Sequence, residues 1–201
     1  AQQYELDAVA VTAPYYFKPV NVKALAGFCK EIADAVPSMP FFYYHIPVLS
    51  GTCFPMIDLL ECMDEMIPNL AGIKYTFENM MDYQLCLNYK DKKYNILWGR
   101  DEMLLPALSL GAVGAVGSTY GYNAPIYNKI IELYNENRIE EAADLQLTAN
   151  KIITLLGKYG GGTGKAFMKA IGMDMGAYRA PVEHLTENQY TSLLNDLYNM
   201  N

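Results

Sequence analysis

The stretch Leu70-Ala71-Gly72-Ile73-Lys74-Tyr75-Thr76 decides how this 201-residue sequence is interpreted. It is a short apolar run that follows Ile67-Pro68-Asn69, a pattern typical of a buried β-strand. In a parallel α/β sheet Lys74 would lie near the carboxyl end of that strand, where such folds hold their active sites. Apolar surroundings favour the neutral amine that attacks a carbonyl, whereas a lysine that only extends to solvent is the simpler alternative.

The composition is that of a folded domain. Hydrophobic residues make up 52% of the chain and charged residues 18%, which favours one well-buried domain over disorder. The net charge is -7 and no basic run is present, so we expect no nucleic-acid partner. The sequence has no apolar stretch of ~18 residues and no signal-peptide pattern. We therefore expect a cytoplasmic protein with no membrane partner.

The cysteines and histidines indicate neither disulfides nor a metal site. The cysteines form no C-x-x-C pair and lie in apolar segments, which predicts buried free thiols in a reducing compartment. The two histidines lie far apart in the sequence and do not suggest a metal cluster. These residues are Cys29, Cys53, Cys62, Cys86, His45 and His184.

Strands and helices alternate regularly. We predict strands at 7–12, 40–47, 70–76, 94–99 and 111–119. Asp101 is expected to cap a short helix at 102–110, in which Pro106 predicts a kink or a late start. After residue 123 the pattern is purely helical, with helices predicted at 125–136, 139–157, 163–171 and 186–199. Since each crossover between strands carries a helix, the strands should be parallel.

Two α/β folds fit this order, a doubly wound sheet and a (β/α)8 barrel. A barrel needs eight strands and ~250 residues. Five strands within the first 119 residues, the first of them almost at residue 1, favour the last five βα units of a TIM barrel with the first three strands absent. Residues 1–137 would form this partial barrel and residues 138–201 a C-terminal helical extension. The break Gly160–Gly164 follows a helix rather than a strand, so we do not expect it to bind phosphate.

Polar residues follow four of the predicted strands, and in a parallel fold those ends converge on one rim. The segments are Tyr44, Lys74, Gly99-Arg100-Asp101-Glu102 and Gly117-Ser118-Thr119. A lysine there can form an imine with a ketone or an aldehyde, which makes the substrate an electron sink. Tyr44, on the adjacent strand, is the candidate proton shuttle. The two carboxylates accept hydrogen bonds from hydroxyls, which suits a polyol or a sugar.

Each of these residues also has a purely structural interpretation. Tyr43 and Tyr44 can be packed aromatic residues. Asp101 can be only a helix cap, and Gly117-Ser118 only a turn. Their joint position at successive strand ends favours a shared site.

Four segments in order resemble the family of N-acetylneuraminate lyase and dihydrodipicolinate synthase, and the resemblance covers nearly the whole chain. They are Tyr44-His45-Ile46-Pro47-Val48-Leu49-Ser50-Gly51, Gly72-Ile73-Lys74, Trp98-Gly99-Arg100-Asp101-Glu102 and Gly114-Ala115-Val116-Gly117-Ser118-Thr119-Tyr120. The Tyr-His-Ile-Pro form and the Tyr-Gly-Tyr segment after Thr119 are most similar to the lyase branch, particularly its animal-type subgroup.

The resemblance implies a class I aldolase on a (β/α)8 barrel with C-terminal helices, usually a homotetramer. Such an enzyme cleaves N-acetylneuraminate to pyruvate and N-acetylmannosamine, with a lysine imine in place of a metal or a dissociable cofactor. Lys74 matches the Schiff-base lysine and Tyr44 the catalytic tyrosine. Tyr16, with Tyr15 as the competing assignment, matches an aromatic residue that reaches a neighbouring subunit's site. The positions that match contacts to the sugar-derived part of the substrate are Gly99, Asp101, Glu102 and Ser118.

Two departures from the family pattern matter. The synthase branch carries a carboxylate-binding arginine where this chain has Leu49, which favours the lyase. The family's Gly- and Ser/Thr-rich pyruvate-carboxylate motif would have to precede Asp7, so we expect a fragment that does not turn over substrate by itself. The alternatives are another pyruvate-dependent aldolase or synthase of the same family, or a catalytically incompetent fragment.

Overall fold

A single parallel sheet with the order β1-β2-β3-β4 organises the first part of the chain. The computed structural model describes residues 1–200. They divide into two compact units, the first formed by residues 1–100 and 106–116, the second by residues 101–105 and the chain from 117 onward. The elements of the first unit are β1 (Val9–Thr12), α1 (Val22–Asp34), β2 (Phe41–His45), α2 (Pro47–Ser50), α3 (Met56–Met66), β3 (Leu70–Tyr75), α4 (Met80–Asn88) and β4 (Asn95–Trp98). This α/β order, with helices in the crossovers, confirms the predicted succession of βα units.

One face of the sheet is buried and the other is partly accessible to solvent. In β2 the residues Phe41, Tyr43 and His45 are fully buried, while the alternate residues Phe42 and Tyr44 are only half-buried. This is the period of two that a strand imposes on its side chains. The buried face continues along β3 and β4, where β3 contacts α3 and β4 contacts α4.

The register places the two predicted catalytic residues side by side. Tyr44 of β2 is the Cα partner of Lys74 in β3, and the same row continues to Thr12 in β1 and Leu97 in β4. Since side chains in one row of a parallel sheet point to the same face, Lys74 and Tyr44 share the open face near the carboxyl ends of their strands.

A glycine permits the close approach of β3 and β4. A Cβ at Gly72 would overlap the backbone carbonyl oxygen of Asn95, which is fixed by strand pairing. No larger residue fits there without separating the strands. Gly72 therefore helps to keep Lys74, two residues along β3, in register.

The predicted fifth strand is much shorter than expected. Instead of a strand over 111–119, one parallel bridge joins Ala115 to Trp98, with hydrogen bonds from the Trp98 amide to Gly114 and from the Val116 amide to Trp98. The position and the parallel direction are as predicted, but the length is wrong. The glycines on both sides of the bridge explain this, because glycine supplies no side chain to pack and loses the most entropy in a strand.

The second unit is helical. It begins with a 3-10 turn (Asp101–Met103) and the first residues of α5 (Leu104–Ser109), whose remaining residues belong to the first unit; α5 has the late start that Pro106 predicted. The helices α6 (Tyr120–Asn135), α7 (Ile139–Tyr159), α8 (Thr163–Ala170) and α9 (Glu187–Tyr198) follow. α6 begins five residues before its predicted start, with non-helical backbone at Asn123 ahead of Pro125. The predicted division between residues 137 and 138 stays a prediction.

The cysteine prediction is partly wrong. All four thiols are free, and Cys29 and Cys86 are buried, but Cys53 is exposed. Burial raises the pKa of the Cys29 thiol to about 12, so this side chain is an inert packing group. Across residues 1–200, no helix has both the length and the hydrophobicity needed to cross a membrane.

Candidate active site

Lys74 and Tyr44, the two predicted catalytic residues, lie side by side in the first unit. The Lys74 Nζ lies 3.9 Å from the centroid of the Tyr44 ring, and both side chains are half-buried. A lysine Nζ at this distance packs against the face of the ring. The two groups that the sequence predicted as imine-former and proton shuttle are therefore in direct contact.

Beneath this pair lies an aromatic layer around His45. The His45 side chain is fully buried, and its ring centroid lies 5.1 Å from that of Tyr75 and 5.7 Å from that of Phe77. Neither ring nitrogen of His45 has a hydrogen-bond partner among the described residues. Burial lowers the pKa of His45 to about 4, against a smaller opposing effect of the Asp82 charge. The histidine of the Tyr-His-Ile-Pro segment is thus a neutral packing group.

Asp82 fixes the end of β3 from below. Its buried carboxylate accepts hydrogen bonds from the Tyr75 hydroxyl at 2.8 Å, the Met56 amide at 2.9 Å and the Ile57 amide at 3.1 Å. The last two amides open α3, which has no side-chain cap of its own. One carboxylate from α4 therefore caps α3 and anchors the residue that follows Lys74.

The loop after β4 is held against the loop after β3. Gly99 donates its amide to the Tyr75 carbonyl at 2.8 Å, and a Cβ at Gly99 would overlap the Thr76 side chain. Arg100 forms an ion pair with Glu78. These loops line a cavity of about 400 Å³ at the carboxyl edge of the sheet. The Thr76 hydroxyl is buried there without a hydrogen-bond partner among residues 1–200, a polar group that the sequence analysis missed.

In the second unit, Asp101 is 4% exposed and binds Thr119 twice. Its Oδ2 accepts a hydrogen bond from the Thr119 amide at 2.8 Å and from the Thr119 hydroxyl at 2.6 Å. The Thr119 hydroxyl is also 2.6 Å from the Tyr127 hydroxyl. The prediction that Asp101 caps a helix at 102–110 is wrong. Its carboxylate instead binds Thr119 at the N-terminus of α6, where the helix dipole favours an anion.

Glu102 and Ser118 are the other predicted sugar contacts in this unit. Glu102 is half-buried in the 3-10 turn, and Ser118 is exposed directly before Thr119. Ser118 borders a cavity of about 730 Å³ that Tyr122, Met168 and other residues of α6, α7 and α8 line. The structure thus groups Asp101 with the Gly117–Thr119 segment, and it groups Lys74 with Tyr44.

The aromatic loop after β1 is open to solvent. Tyr16 is 88% exposed and Tyr15 59%, and Tyr16 packs only edge-on against Phe17. Among the described residues, no group of three or more His, Cys, Asp or Glu side chains is placed to hold a metal ion.

Sequence reasoning missed several residues that organise these groups: Asp82, Thr76, Thr119 and Tyr127. Thr119 belongs to the predicted Gly117-Ser118-Thr119 segment, but nothing in the sequence indicates its contacts with Asp101 and Tyr127. Tyr127 and Asp82 lie inside helices and carried no strand-end signal. Their roles depend on tertiary contacts, which no local pattern records.

Residues 1–200 match the dihydrodipicolinate synthetase family. N-acetylneuraminate lyase of Rattus norvegicus is 36% identical over 191 residues, which cover 93% of this chain and 60% of the relative. The Homo sapiens N-acetylneuraminate lyase is 35% identical over 187 residues, 91% of this chain and 58% of that protein. The chain thus spans about 60% of the length of the curated relatives it matches.

The fold of this chain is also similar to that of solved structures of N-acetylneuraminate lyases. The N-acetylneuraminate lyase of Proteus mirabilis superposes with a TM-score of 0.93 at 37% identity, and the match covers 98% of this chain and 67% of that one. A catalytic lysine mutant of the Ruminococcus gnavus sialic acid aldolase superposes with a TM-score of 0.89 at 27% identity, covering 99% and 65%.

Proposed function

This chain belongs to the dihydrodipicolinate synthetase family, and on that premise we propose that it carries the imine-forming part of a class I aldolase. The proposed reaction cleaves N-acetylneuraminate to pyruvate and N-acetylmannosamine. The observation that carries the proposal is the contact of the Lys74 amine with the Tyr44 ring at the carboxyl ends of two paired parallel strands. The lyase relatives and the absence of the synthase-type arginine at Leu49 support the choice of substrate.

In the proposed mechanism, the neutral Lys74 amine attacks the C2 ketone of the open-chain sugar acid, and loss of water gives the imine. The C3–C4 bond then breaks, and its electrons move into the imine to form an enamine. Tyr44 relays the proton of the C4 hydroxyl towards the substrate's carboxylate as N-acetylmannosamine leaves as the aldehyde. Protonation of the enamine and hydrolysis of the imine release pyruvate and restore Lys74. The lysine imine is the electron sink, so no step of this mechanism uses a dissociable cofactor.

The remaining roles follow from the family resemblance. We assign Gly99, Glu102 and Ser118 to hydroxyl contacts with the sugar-derived part, and Asp101 to the same region. Carboxylates and hydroxyls supply the acceptors and donors that a polyol needs. For Tyr16 we propose contact with a neighbouring subunit of a homotetramer, for which its 88% exposure leaves room. We place the enzyme in the cytoplasm.

The second candidate is a catalytically incompetent fragment, favoured by the 60% share of the relatives' length that the chain spans. A third alternative, a pyruvate-dependent aldolase of the same family with another sugar acid, shares the Lys74 chemistry. Product analysis with several sugar acids separates that alternative from the proposed reaction.

Borohydride trapping tests the proposal. Pyruvate and borohydride are added to the 201-residue chain, and the modified peptide is identified by mass spectrometry. The proposed function predicts an adduct on Lys74 that Lys74→Arg abolishes, because a guanidinium keeps the charge but forms no imine. A Lys18→Arg control should leave the adduct intact. An adduct on a different lysine contradicts the assignment, and the absence of any adduct identifies the chain as catalytically incompetent.

Tyr44 has a separate test. Tyr44→Phe keeps the ring under the Lys74 amine but removes the hydroxyl that relays the proton. We expect turnover of N-acetylneuraminate to fall by about 100-fold or more, the usual range for a lost general acid–base group. The rate of pyruvate trapping should change much less. Equal loss of both rates would contradict the role given to the hydroxyl.

A further inference from the structure

We propose that the Thr12 hydroxyl is a binding group for the pyruvate end of the substrate, where it donates a hydrogen bond to the carboxylate. The inference rests on the function proposed above and adds a residue to the same site. The family resemblance places the pyruvate-carboxylate motif before Asp7, so this donor is additional to that motif. Every residue that supports the inference belongs to the first unit.

Thr12 lies in the same row of the sheet as the two proposed catalytic residues. It is the Cα partner of Tyr44, which is in turn the partner of Lys74. Paired residues of a parallel sheet point to the same face, and neighbouring strands lie about 4.8 Å apart. The Thr12 side chain is therefore on the partly accessible face, next to Tyr44 and on the side away from Lys74. The row adds a third polar side chain to the pair.

The Thr12 hydroxyl is turned away from solvent. The residue is only half-buried, yet its Oγ1 atom is shielded and has no hydrogen-bond partner among residues 1–200. The Thr154 hydroxyl of α7, by contrast, donates to the Asn150 carbonyl at 2.9 Å. A shielded hydroxyl without a partner lowers the stability of the protein, and valine would fill the same space without that cost. A hydroxyl of this kind beside two reactive side chains indicates a group that bonds to a ligand.

The position of the lysine amine brings the substrate towards Thr12. The Lys74 Nζ lies 3.9 Å from the centroid of the Tyr44 ring, so the amine packs against the residue that separates it from Thr12 in the row. In pyruvate the carboxylate is bonded directly to the carbonyl carbon that the amine attacks. Once the imine forms, the carboxylate is held beside Tyr44. Thr12 supplies its donor from the other side of that ring.

The other members of the row have different roles. Lys74 is the proposed nucleophile, and the Tyr44 hydroxyl is the proposed proton relay. Leu97, at the far end of the row, is apolar. A threonine hydroxyl can donate one hydrogen bond, and a bond to an ionised acceptor is stronger than one between neutral groups. Within this row, Thr12 is therefore the group suited to the carboxylate.

The test compares Thr12→Val with Thr12→Ser in borohydride trapping, because valine keeps the shape and serine keeps the hydroxyl. The measured quantity is the concentration of pyruvate that gives half-maximal adduct on Lys74. We expect this concentration to rise about tenfold in Thr12→Val and to stay within about twofold in Thr12→Ser. For the neutral methyl ester of pyruvate, Thr12→Val should change it by less than about threefold, since the ester carries no charge.

Two further measurements separate binding from folding. Without ligand, Thr12→Val should have a Tm up to about 4 °C above that of the unmodified protein, because it loses a shielded hydroxyl without a partner. Thr154→Val is the matched control, since Thr154 lies on an exposed part of α7. It should leave the half-maximal pyruvate concentration unchanged.

Several outcomes would overturn the inference. An unchanged half-maximal concentration in Thr12→Val shows that the hydroxyl does not bind pyruvate. An equal rise for pyruvate and its ester shows that the hydroxyl does not recognise the carboxylate. A Thr12→Ser variant as impaired as Thr12→Val assigns the effect to packing, and a lower Tm in Thr12→Val shows that the hydroxyl already serves the fold. An unmodified protein that forms no adduct refutes the proposed function and this inference with it, whereas an adduct without these effects refutes the inference alone.

Discussion

Replacement of Asp82 by alanine should strongly destabilise the first unit. The Asp82 carboxylate is 4% exposed and accepts three hydrogen bonds, from the Met56 amide, the Ile57 amide and the Tyr75 hydroxyl. Asp82→Ala leaves the Met56 and Ile57 amides without this acceptor, and the Tyr75 hydroxyl keeps only the Asn79 carbonyl at 3.0 Å. It also removes the only carboxylate bound to the first two amides of α3 in the described chain.

The size of the effect follows from those contacts. A hydrogen bond to a charged group contributes about 1.5–3 kcal/mol, but three bonds to one carboxylate are not additive, and its own burial costs free energy. Each buried donor that loses its acceptor costs about 1–3 kcal/mol, so we expect a loss of about 3–5 kcal/mol. This corresponds to a fall in Tm of roughly 10 °C for a chain of this size. Asp82→Asn keeps one acceptor oxygen and should lose about half as much.

Urea unfolding followed by tryptophan fluorescence measures this loss. The chain has one tryptophan, Trp98, which is fully buried with its ring centroid 4.7 Å from that of Tyr83, so its emission reports on this core. Asp34→Ala is the matched control, because Asp34 pairs with Lys30 on an exposed helix surface. That control should change stability by less than about 0.5 kcal/mol. A loss below about 1 kcal/mol for Asp82→Ala would refute the anchoring role.

Two further predictions concern the same sheet. His45 is fully buried and its pKa is lowered from 6.5 to about 4, so it contributes fully to stability above pH 6.5 and loses that contribution as the pH falls towards 4. The free energy of unfolding is measured at pH 7.5 and at pH values down to 4. Between these limits His45→Phe should lose about 3 kcal/mol less stability than the unmodified protein. If the stability of both proteins falls equally with pH, His45 is not the responsible group. Gly72→Ala should lose at least about 1–3 kcal/mol in urea unfolding, because its Cβ meets the Asn95 carbonyl. Gly27→Ala is the control, because Gly27 lies in α1 and its new Cβ would meet nothing within 4 Å. This variant should gain up to about 1 kcal/mol of stability. Equal changes in stability for the two variants would contradict the packing argument.

The regular elements of this chain were predictable because their signals are local. The strand predicted at 70–76 is β3, Leu70–Tyr75, and its bounds follow from an apolar run between turn residues. The parallel order followed from helices in every crossover, and the contact of Lys74 with Tyr44 followed from their positions at adjacent strand ends. These inferences needed only periodicity and topology.

The errors arise where tertiary contacts decide the structure. Asp101 has the sequence context of a cap for the helix that follows it, yet its carboxylate binds Thr119, 18 residues later. The sequence of 111–119 predicts a strand, but this glycine-rich segment forms only one parallel β-bridge in the described chain, from Ala115 to Trp98. Asp82 gave no signal in the sequence, since its three partners come from β3 and α3. In each case the partner is distant along the chain, so no window of neighbouring residues contains the information.

The identity of the lysine that forms an imine with pyruvate tests the central claim most directly. Lys74 lies 3.9 Å from the Tyr44 ring in the paired strands β2 and β3, and the chemistry proposed here depends on that amine. Peptide mapping after borohydride reduction of the protein in the presence of pyruvate should place the adduct on Lys74 alone, and Lys74→Arg should remove it. An adduct that persists in Lys74→Arg, or that maps to any other lysine, would contradict the account.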